Sequence, residues 1–73
     1  MCNQIVTGNP QLGKLLKKRR IELNISQKEL ASYCNLSHNG ISQIEIGKKD
    51  VKLSTLLKMS KMLGFKVALA MEE

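Results

Sequence analysis

The sequence predicts an all-α domain of four helices, and three observations carry that prediction. Ser26 precedes Glu29 by three residues, the spacing of a capping box, in which each residue satisfies a free amide of the other at a helix start. Gly47 is suited to ending a second short helix. Because only residues 34 to 37 separate these two helices, the second must cross the first at a steep angle.

The first of the four helices is predicted from about residue 10 to residue 23. Asn9 is suited to N-capping it, and Pro10 to the first helical position, where a missing amide is not needed. One side of this helix carries apolar residues with one exception: Leu12, Leu15, Leu16, Arg20 and Leu23. The helix that Ser26 caps is predicted over residues 27 to 33.

The third helix is predicted to follow Ser37, its expected N-cap. Ile41 and Ile44 are turned inward, which leaves four polar side chains outside: His38, Asn39, Ser42 and Gln43. The fourth helix is predicted over residues 53 to 63, before Gly64. Its apolar residues span a wider arc than one small core requires, and we expect the excess to face a second subunit, with the two methionines as adaptable packing residues: Leu53, Leu56, Leu57, Met59, Met62 and Leu63.

The C-terminal segment alternates large apolar residues with smaller or polar ones: Phe65, Val67, Leu69 and Met71. A period of two predicts a β-strand. One strand is not stable alone, and its only intrachain partner is the short segment 4 to 7, so we expect a short C-terminal β-strand pairing across a homodimer. The alternative is a fifth helix, because residues 67 to 71 also have adequate helix propensity.

Length and charge agree with a small basic dimer. The 73 residues make one domain, divided into a flexible N-terminal segment (1–8), a helical domain (9–64) and a dimerisation strand and tail (65–73). A domain this small tends to need a disulfide, a metal or a partner subunit. Twelve Lys and Arg residues against six Asp and Glu residues give a net charge of +6, which attracts phosphates. For Lys17 and Lys18 the alternative is an ordinary solvated helix face.

The cysteines do not indicate a metal or disulfide site. Two cysteines and one histidine cannot form a four-ligand zinc site, so no metal and no cofactor is expected. We expect Cys2 and Cys34 to be reduced, and Cys34 to be a small buried hydrophobic residue. Neither a signal peptide nor a membrane span is found, which predicts a cytoplasmic protein without a membrane partner.

The segment from Leu16 to Leu63 resembles the helix-turn-helix domain shared by lambdoid phage repressors, Cro and many small bacterial regulators of the XRE type. The matching positions have the spacing of that family: Leu16, Arg20, Ser26, Gln27, Leu30, Ala31, Ile41, Ser42, Glu45, Gly47, Lys48, Leu63 and Gly64. The resemblance implies a phage-repressor-like fold and a sequence-specific transcriptional repressor that binds double-stranded palindromic operator DNA.

The resemblance also assigns DNA contacts. Base edges would be contacted by His38, Asn39, Ser42 and Gln43, and phosphates by Gln27, Lys48 and Lys49. Gln27 would also support the neighbouring side chain on the recognition helix. Asn and Gln can pair with adenine, and a neutral or charged His can donate to guanine acceptors. The lysines would orient the domain without reading sequence. The alternative for all these residues is an ordinary hydrated surface.

Arg20 and Glu45 lie close to the apolar stripes of their helices. The resemblance implies a partly buried salt bridge between the first and third helices, whose bidentate geometry would fix the angle of the recognition helix. The alternative is two unrelated solvated charges.

Three residues depart from the family pattern. Asn24 replaces the usual glycine after the first helix, and it tolerates the left-handed conformation. Gly40 replaces a small polar residue and is a candidate for close approach of the DNA backbone. Ile46 replaces a charged residue, and a thymine-methyl contact, a dimer contact and no role at all remain open.

A helix followed directly by a terminal strand resembles the HipB-type antitoxins, in which paired strands cover the dimer interface. That resemblance implies an antitoxin that represses its own operon and neutralises a HipA-like kinase toxin. The alternatives are a stand-alone phage-type or restriction-modification regulator and a pure protein-interaction module. We do not expect an enzyme, because His38 has no nucleophile or paired carboxylate at a plausible spacing.

Overall fold

The computed structural model describes residues 4 to 72 and contains four α-helices in that range: α1 (Asn9–Glu22), α2 (Gln27–Cys34), α3 (His38–Glu45) and α4 (Leu53–Leu63). The four-helix, phage-repressor-like prediction is therefore confirmed. None of the helices in the described part of the chain is long and apolar enough to cross a membrane.

Side-chain caps start the two central helices. The Glu29 amide donates to Ser26 Oγ at 3.0 Å, and the Ser26 amide donates to Glu29 Oε1 at 2.9 Å, which completes the predicted capping box of α2. These hydrogen bonds lower the pKa of Glu29, and the bond from the Ser26 backbone has a larger effect than the one with the Ser26 side chain. At the start of α3, Ser37 Oγ accepts from the Gly40 amide at 2.9 Å, as predicted for an N-cap.

The start of α1 differs from the prediction. Gly8 is the N-cap and Asn9 is already helical, so the prediction of Asn9 as the cap was wrong. The Asn9 side chain instead donates to the Asp50 carboxylate in the loop between α3 and α4. After α1 ends, Asn24 adopts a left-handed backbone with φ of 57°, as its tolerance of that conformation predicted. The same conformation recurs at Asn35, with φ of 60°, which the sequence reading missed.

The core lies where the four helices meet. Its buried apolar residues come from every helix: Leu16, Leu30, Ala31, Cys34, Ile41, Ile44, Met59 and Leu63. Cys34 is a free thiol that is 5% exposed, and burial raises its pKa, while the charge of Lys58 opposes that shift. The prediction of a small buried hydrophobic residue is therefore confirmed. Cys2 lies outside the described residues.

The wide apolar arc of α4 is divided between two environments. Met59 and Leu63 are 1% and 0% exposed in the domain's own core, so assigning Met59 to a subunit contact was wrong. Leu53 and Leu57 are exposed and lie one helical turn apart. The excess apolar surface of α4 is therefore smaller than the sequence suggested and centres on these two leucines.

Residues 65 to 72 form neither a helix nor a strand, so the alternative of a fifth helix was wrong. A strand requires a partner, and the strand with its intersubunit pairing stays a prediction. Phe65 is half-buried against the domain's core, and its amide donates to the Ser60 carbonyl oxygen. Phe65 therefore takes part in the packing of the monomer, and its role in dimerisation stays a prediction. The other alternating residues are exposed: Val67, Leu69 and Met71.

Two glycines let α1 lie directly on the last turn of α3. A Cβ atom on Gly13 would be 2.4 Å from the Ile44 carbonyl oxygen. Gly47 has φ of +81°, and a Cβ atom there would be 2.5 Å from Pro10 Cα. No side chain fits between these backbones, so the glycines set the distance between α1 and α3.

We expect Gly13→Ala to destabilise the domain by about 1 to 3 kcal/mol, because α1 and α3 must move apart. Helix propensity alone predicts the opposite sign, a gain of about 1 kcal/mol. Urea unfolding measures the change, with Lys17→Ala on the exposed side of α1 as the control. A stabilised Gly13→Ala variant would contradict the close approach.

Candidate nucleic-acid interface

The outward side of α3 carries the polar residues that the sequence singled out. His38 and Asn39 are exposed, and Ser42 and Gln43 are half-buried. Ile41 on the opposite side is fully buried. Within residues 4 to 72, no hydrogen bond involves the side chain of Asn39 or Gln43. These two amides are free to hydrogen-bond to a ligand.

The two unusual residues of this region lie in different environments. Ile46 is 56% exposed and continues the row Asn39, Ser42 and Gln43 at helical spacing. Gly40 is buried, and a Cβ atom there would lie 3.2 Å from Ser37 Oγ. The interpretation that Gly40 admits the DNA backbone was therefore wrong, since Gly40 faces the N-cap of its own helix.

Arg20 and Glu45 form a bidentate ion pair between α1 and α3. Arg20 Nε donates to Glu45 Oε2 at 2.6 Å, and Arg20 Nη2 donates to Glu45 Oε1 at 3.1 Å. Their side chains are only 10% and 2% exposed. Arg20 Nη1 also donates to the Ile25 carbonyl oxygen at 2.8 Å. One guanidinium thus joins α1, α3 and the turn that leads into α2.

Gln27, the first residue of α2, connects the ion pair to His38 and Ser42 on α3 by hydrogen bonds. Its Nε2 donates to Glu45 Oε1 at 2.9 Å. Its Oε1 lies 2.7 Å from His38 Nε2 and accepts from Ser42 Oγ at 3.2 Å. The sequence predicts two roles for Gln27. Its support of the neighbouring side chains on α3 is seen in these contacts. Its phosphate contact stays a prediction, for which one N–H of the amide remains.

Some basic residues bond within the protein, and others are exposed to solvent. Arg19 Nε donates to the Leu63 carbonyl oxygen at 2.7 Å and thereby caps the end of α4, a role that the sequence reading missed. Lys48 and Lys49 follow α3, are exposed, and form no ion pair within the described residues 4 to 72. Lys17 and Lys18 are exposed on α1, as expected of a solvated helix face.

The described part of the chain has no cluster of side chains that could hold a metal ion. Among residues 4 to 72, no three His, Cys, Asp or Glu residues come together in a suitable arrangement. The α3 surface and the residues after it instead carry polar side chains that can form hydrogen bonds, two exposed lysines and one exposed apolar side chain, Ile46.

A family comparison identifies the class of this protein. The model of a helix-turn-helix family, HTH_3, matches residues 16–69. The chain belongs to this XRE-type helix-turn-helix family and is a helix-turn-helix transcriptional regulator.

Two proteins resemble the chain in sequence. Control protein C.BamHI of Bacillus amyloliquefaciens is 42% identical over 62 residues, which cover 81% of this chain and 76% of that protein. The SPbeta prophage-derived HTH-type transcriptional regulator YonR of Bacillus subtilis (strain 168) is 38% identical over 52 residues, covering 71% of this chain and 48% of that protein. The chain thus spans about half the length of YonR.

Two solved structures resemble the fold. The restriction-modification controller protein C.AhdI from Aeromonas hydrophila superposes with a TM-score of 0.73 and 26% identity, over 78% of this chain and 86% of that one. A chain of the HipA-HipB-O2-O3 complex superposes with a TM-score of 0.78 and 24% identity, over 97% of this chain and 100% of that one. At that identity, the second likeness bears on the fold alone.

We expect Glu45→Ala to destabilise the domain by about 3 to 5 kcal/mol, because it leaves Arg20 buried without its carboxylate. The matched control is Glu22→Ala, which removes an exposed carboxylate 3.7 Å from Arg19 and should cost less than about 1 kcal/mol. Denaturant unfolding of Glu45→Ala, of Arg20→Ala and of the variant with both substitutions gives the coupling energy of the pair. Simple addition of the two single losses would show that the pair does not interact.

Proposed function

We propose that this regulator binds double-stranded palindromic operator DNA as a homodimer, with α3 in the major groove. The observation that carries the proposal is the exposed polar side of α3, held from behind by the Arg20, Glu45 and Gln27 network. A polar surface held in one orientation is what direct readout of base edges requires.

The proposed base contacts are the four polar residues of this side: His38, Asn39, Ser42 and Gln43. Asn39 and Gln43 have free amides and can each pair bidentately with adenine. Ile46 lies in the same row, and its exposed side chain suits a thymine methyl group. We therefore favour the thymine contact among the roles left open for Ile46.

The proposed phosphate contacts lie at the end of α3. Lys48 and Lys49 are exposed beyond the last turn of the helix, and they would place the domain on the backbone without reading sequence. The remaining Nε2 hydrogen of Gln27 is a third candidate donor. This function needs no cofactor and no catalytic group.

We expect Gln43→Ala to weaken operator binding by about 1 to 3 kcal/mol and to leave binding to random DNA nearly unchanged. The matched variant is Lys48→Ala, which should weaken binding to every duplex and reduce the slope of log affinity against log salt by about one unit. Titrations of both variants over a salt series make the comparison. Equal losses on operator and random DNA for Gln43→Ala would exclude a base contact.

Exposed apolar residues in two parts of the chain support the dimer. Leu53 and Leu57 are exposed on α4, and the tail residues Val67, Leu69 and Met71 are 40%, 84% and 80% exposed. Paired C-terminal strands across the dimer axis would cover the tail residues and satisfy their backbone hydrogen bonds. The dimer would then hold two copies of α3 at half-sites about 34 Å apart.

We expect deletion of residues 67 to 73 to convert the dimer into folded monomers, because Phe65 and its packing on the core are kept. Operator affinity should collapse while the helical circular dichroism signal survives. Leu69→Asp should weaken the dimer in the full chain, whereas Lys66→Ala serves as the exposed control. Analytical ultracentrifugation measures the mass, and a truncated protein that stays dimeric would place the interface in α4 alone.

Two more specific functions are each supported by a different observation: a stand-alone or restriction-modification regulator, and an antitoxin. Sequence identity of 42% to control protein C.BamHI favours a stand-alone or restriction-modification regulator. The exposed, alternating apolar residues of the tail, which paired strands would cover as in the HipB-type antitoxins, favour the antitoxin of a HipA-like kinase toxin. Deleting this gene alone and together with its operon neighbour separates them: an antitoxin predicts growth arrest that the double deletion relieves.

A further inference from the structure

We propose that His38 reads an exocyclic amino group, cytosine N4 or adenine N6, through an unprotonated Nδ1 atom. The inference rests on the proposed DNA-binding function and assigns a base preference to one residue of it. It follows from the hydrogen bonds of Gln27, which fix the position of the proton on the His38 ring.

The Glu45 carboxylate orients the Gln27 amide. An ionised carboxylate can only accept hydrogen bonds, and Glu45 accepts two from the Arg20 guanidinium. The Gln27 group facing Glu45 Oε1 at 2.9 Å must therefore be the NH₂ group. The Gln27 carbonyl oxygen then points to His38 and Ser42.

A carbonyl oxygen accepts hydrogen bonds, so His38 Nε2, at 2.7 Å from Gln27 Oε1, must carry the proton. In a neutral imidazole the other nitrogen then has no proton and can only accept. His38 Nδ1 is therefore an acceptor on the exposed side of α3. The expectation that a neutral His38 donates to guanine does not fit this arrangement, because its single N–H is already used.

The major groove distinguishes bases by donors and acceptors. Cytosine N4 and adenine N6 are donors, whereas guanine offers N7 and O6 and thymine offers O4, which are acceptors. An acceptor at His38 thus favours cytosine or adenine and disfavours guanine and thymine. Ser42 Oγ donates its single hydrogen to the same Gln27 oxygen at 3.2 Å, so toward a base it too can only accept, which strengthens the preference for amino groups.

The first measurement is the tautomer of His38 in the free protein, from the ¹⁵N chemical shifts of its ring at about pH 8, where an ordinary imidazole is neutral. We expect the Nε2–H form in the unmodified chain. Gln27→Met keeps the length of the side chain without its hydrogen bonds, and it should give a mixture of tautomers. A predominant Nδ1–H form in the unmodified chain would overturn the proposal.

The second measurement identifies the base. Selection from a random duplex library at the same pH, with the unmodified chain and with His38→Ala, locates the position at which only the unmodified chain has a preference. We expect cytosine or adenine there. Guanine or thymine at that position, or no position that depends on His38, would overturn the proposal.

A base analogue then isolates the amino group. The selected cytosine or adenine is replaced by the analogue that lacks only its exocyclic amine, which should weaken binding of the unmodified chain by about 5- to 150-fold. His38→Ala should bind both duplexes equally, and equal affinities for the unmodified chain would overturn the proposal. Failure of the library to enrich any sequence would instead overturn the proposed function, while the tautomer would still be measured.

Discussion

The ion pair between Arg20 and Glu45 is the interaction on which the polar surface of α3 depends. The Glu45 carboxylate receives two hydrogen bonds from Arg20 and one from Gln27, and Gln27 bonds in turn to His38 and Ser42. Three helices are therefore joined through one buried carboxylate. Because removing two charges from water offsets much of their attraction, the pair contributes orientation more than net stability. Its planar, bidentate geometry restricts the orientation of α1 relative to α3.

Close contact between the backbones of α1 and α3 also restricts how these two helices pack. Gly13 and Gly47 bring α1 against the last turn of α3, where a Cβ atom on either glycine would overlap backbone atoms. Apolar packing alone tolerates substitutions of similar volume, so it would not set the helix angle so narrowly. The glycines, the ion pair and the buried face formed by Ile41 and Ile44 together hold α3 as a rigid element. A rigid element is what a base-reading surface requires, since misplaced donors lose their partners.

The tail and one side of α4 leave apolar side chains exposed to solvent. The tail follows the end of α4 at Leu63. Phe65 packs on the core, and the apolar side chains at alternating positions after it are exposed. Leu53 and Leu57 add exposed apolar surface on α4. A 73-residue chain has a small core, and covering these residues with a second copy would add burial that one chain lacks. The proposed DNA-binding surface on α3 and the proposed dimer surface on α4 and the tail are thus built from different parts of the chain.

Features that act over a few residues were determined by the sequence alone. The caps at Ser26 and Ser37, the left-handed turns at Asn24 and Gly64, and the four helices follow from neighbours in the chain. The family register also placed the proposed base-contacting residues on α3. The tertiary structure decided what depends on contacts across the fold: the bond of Asn9 to Asp50, the fit of Gly13 on α3, the burial of Met59 and Phe65, and the inward orientation of Gln27. These partners are distant in sequence, and only packing brings them within reach of one another.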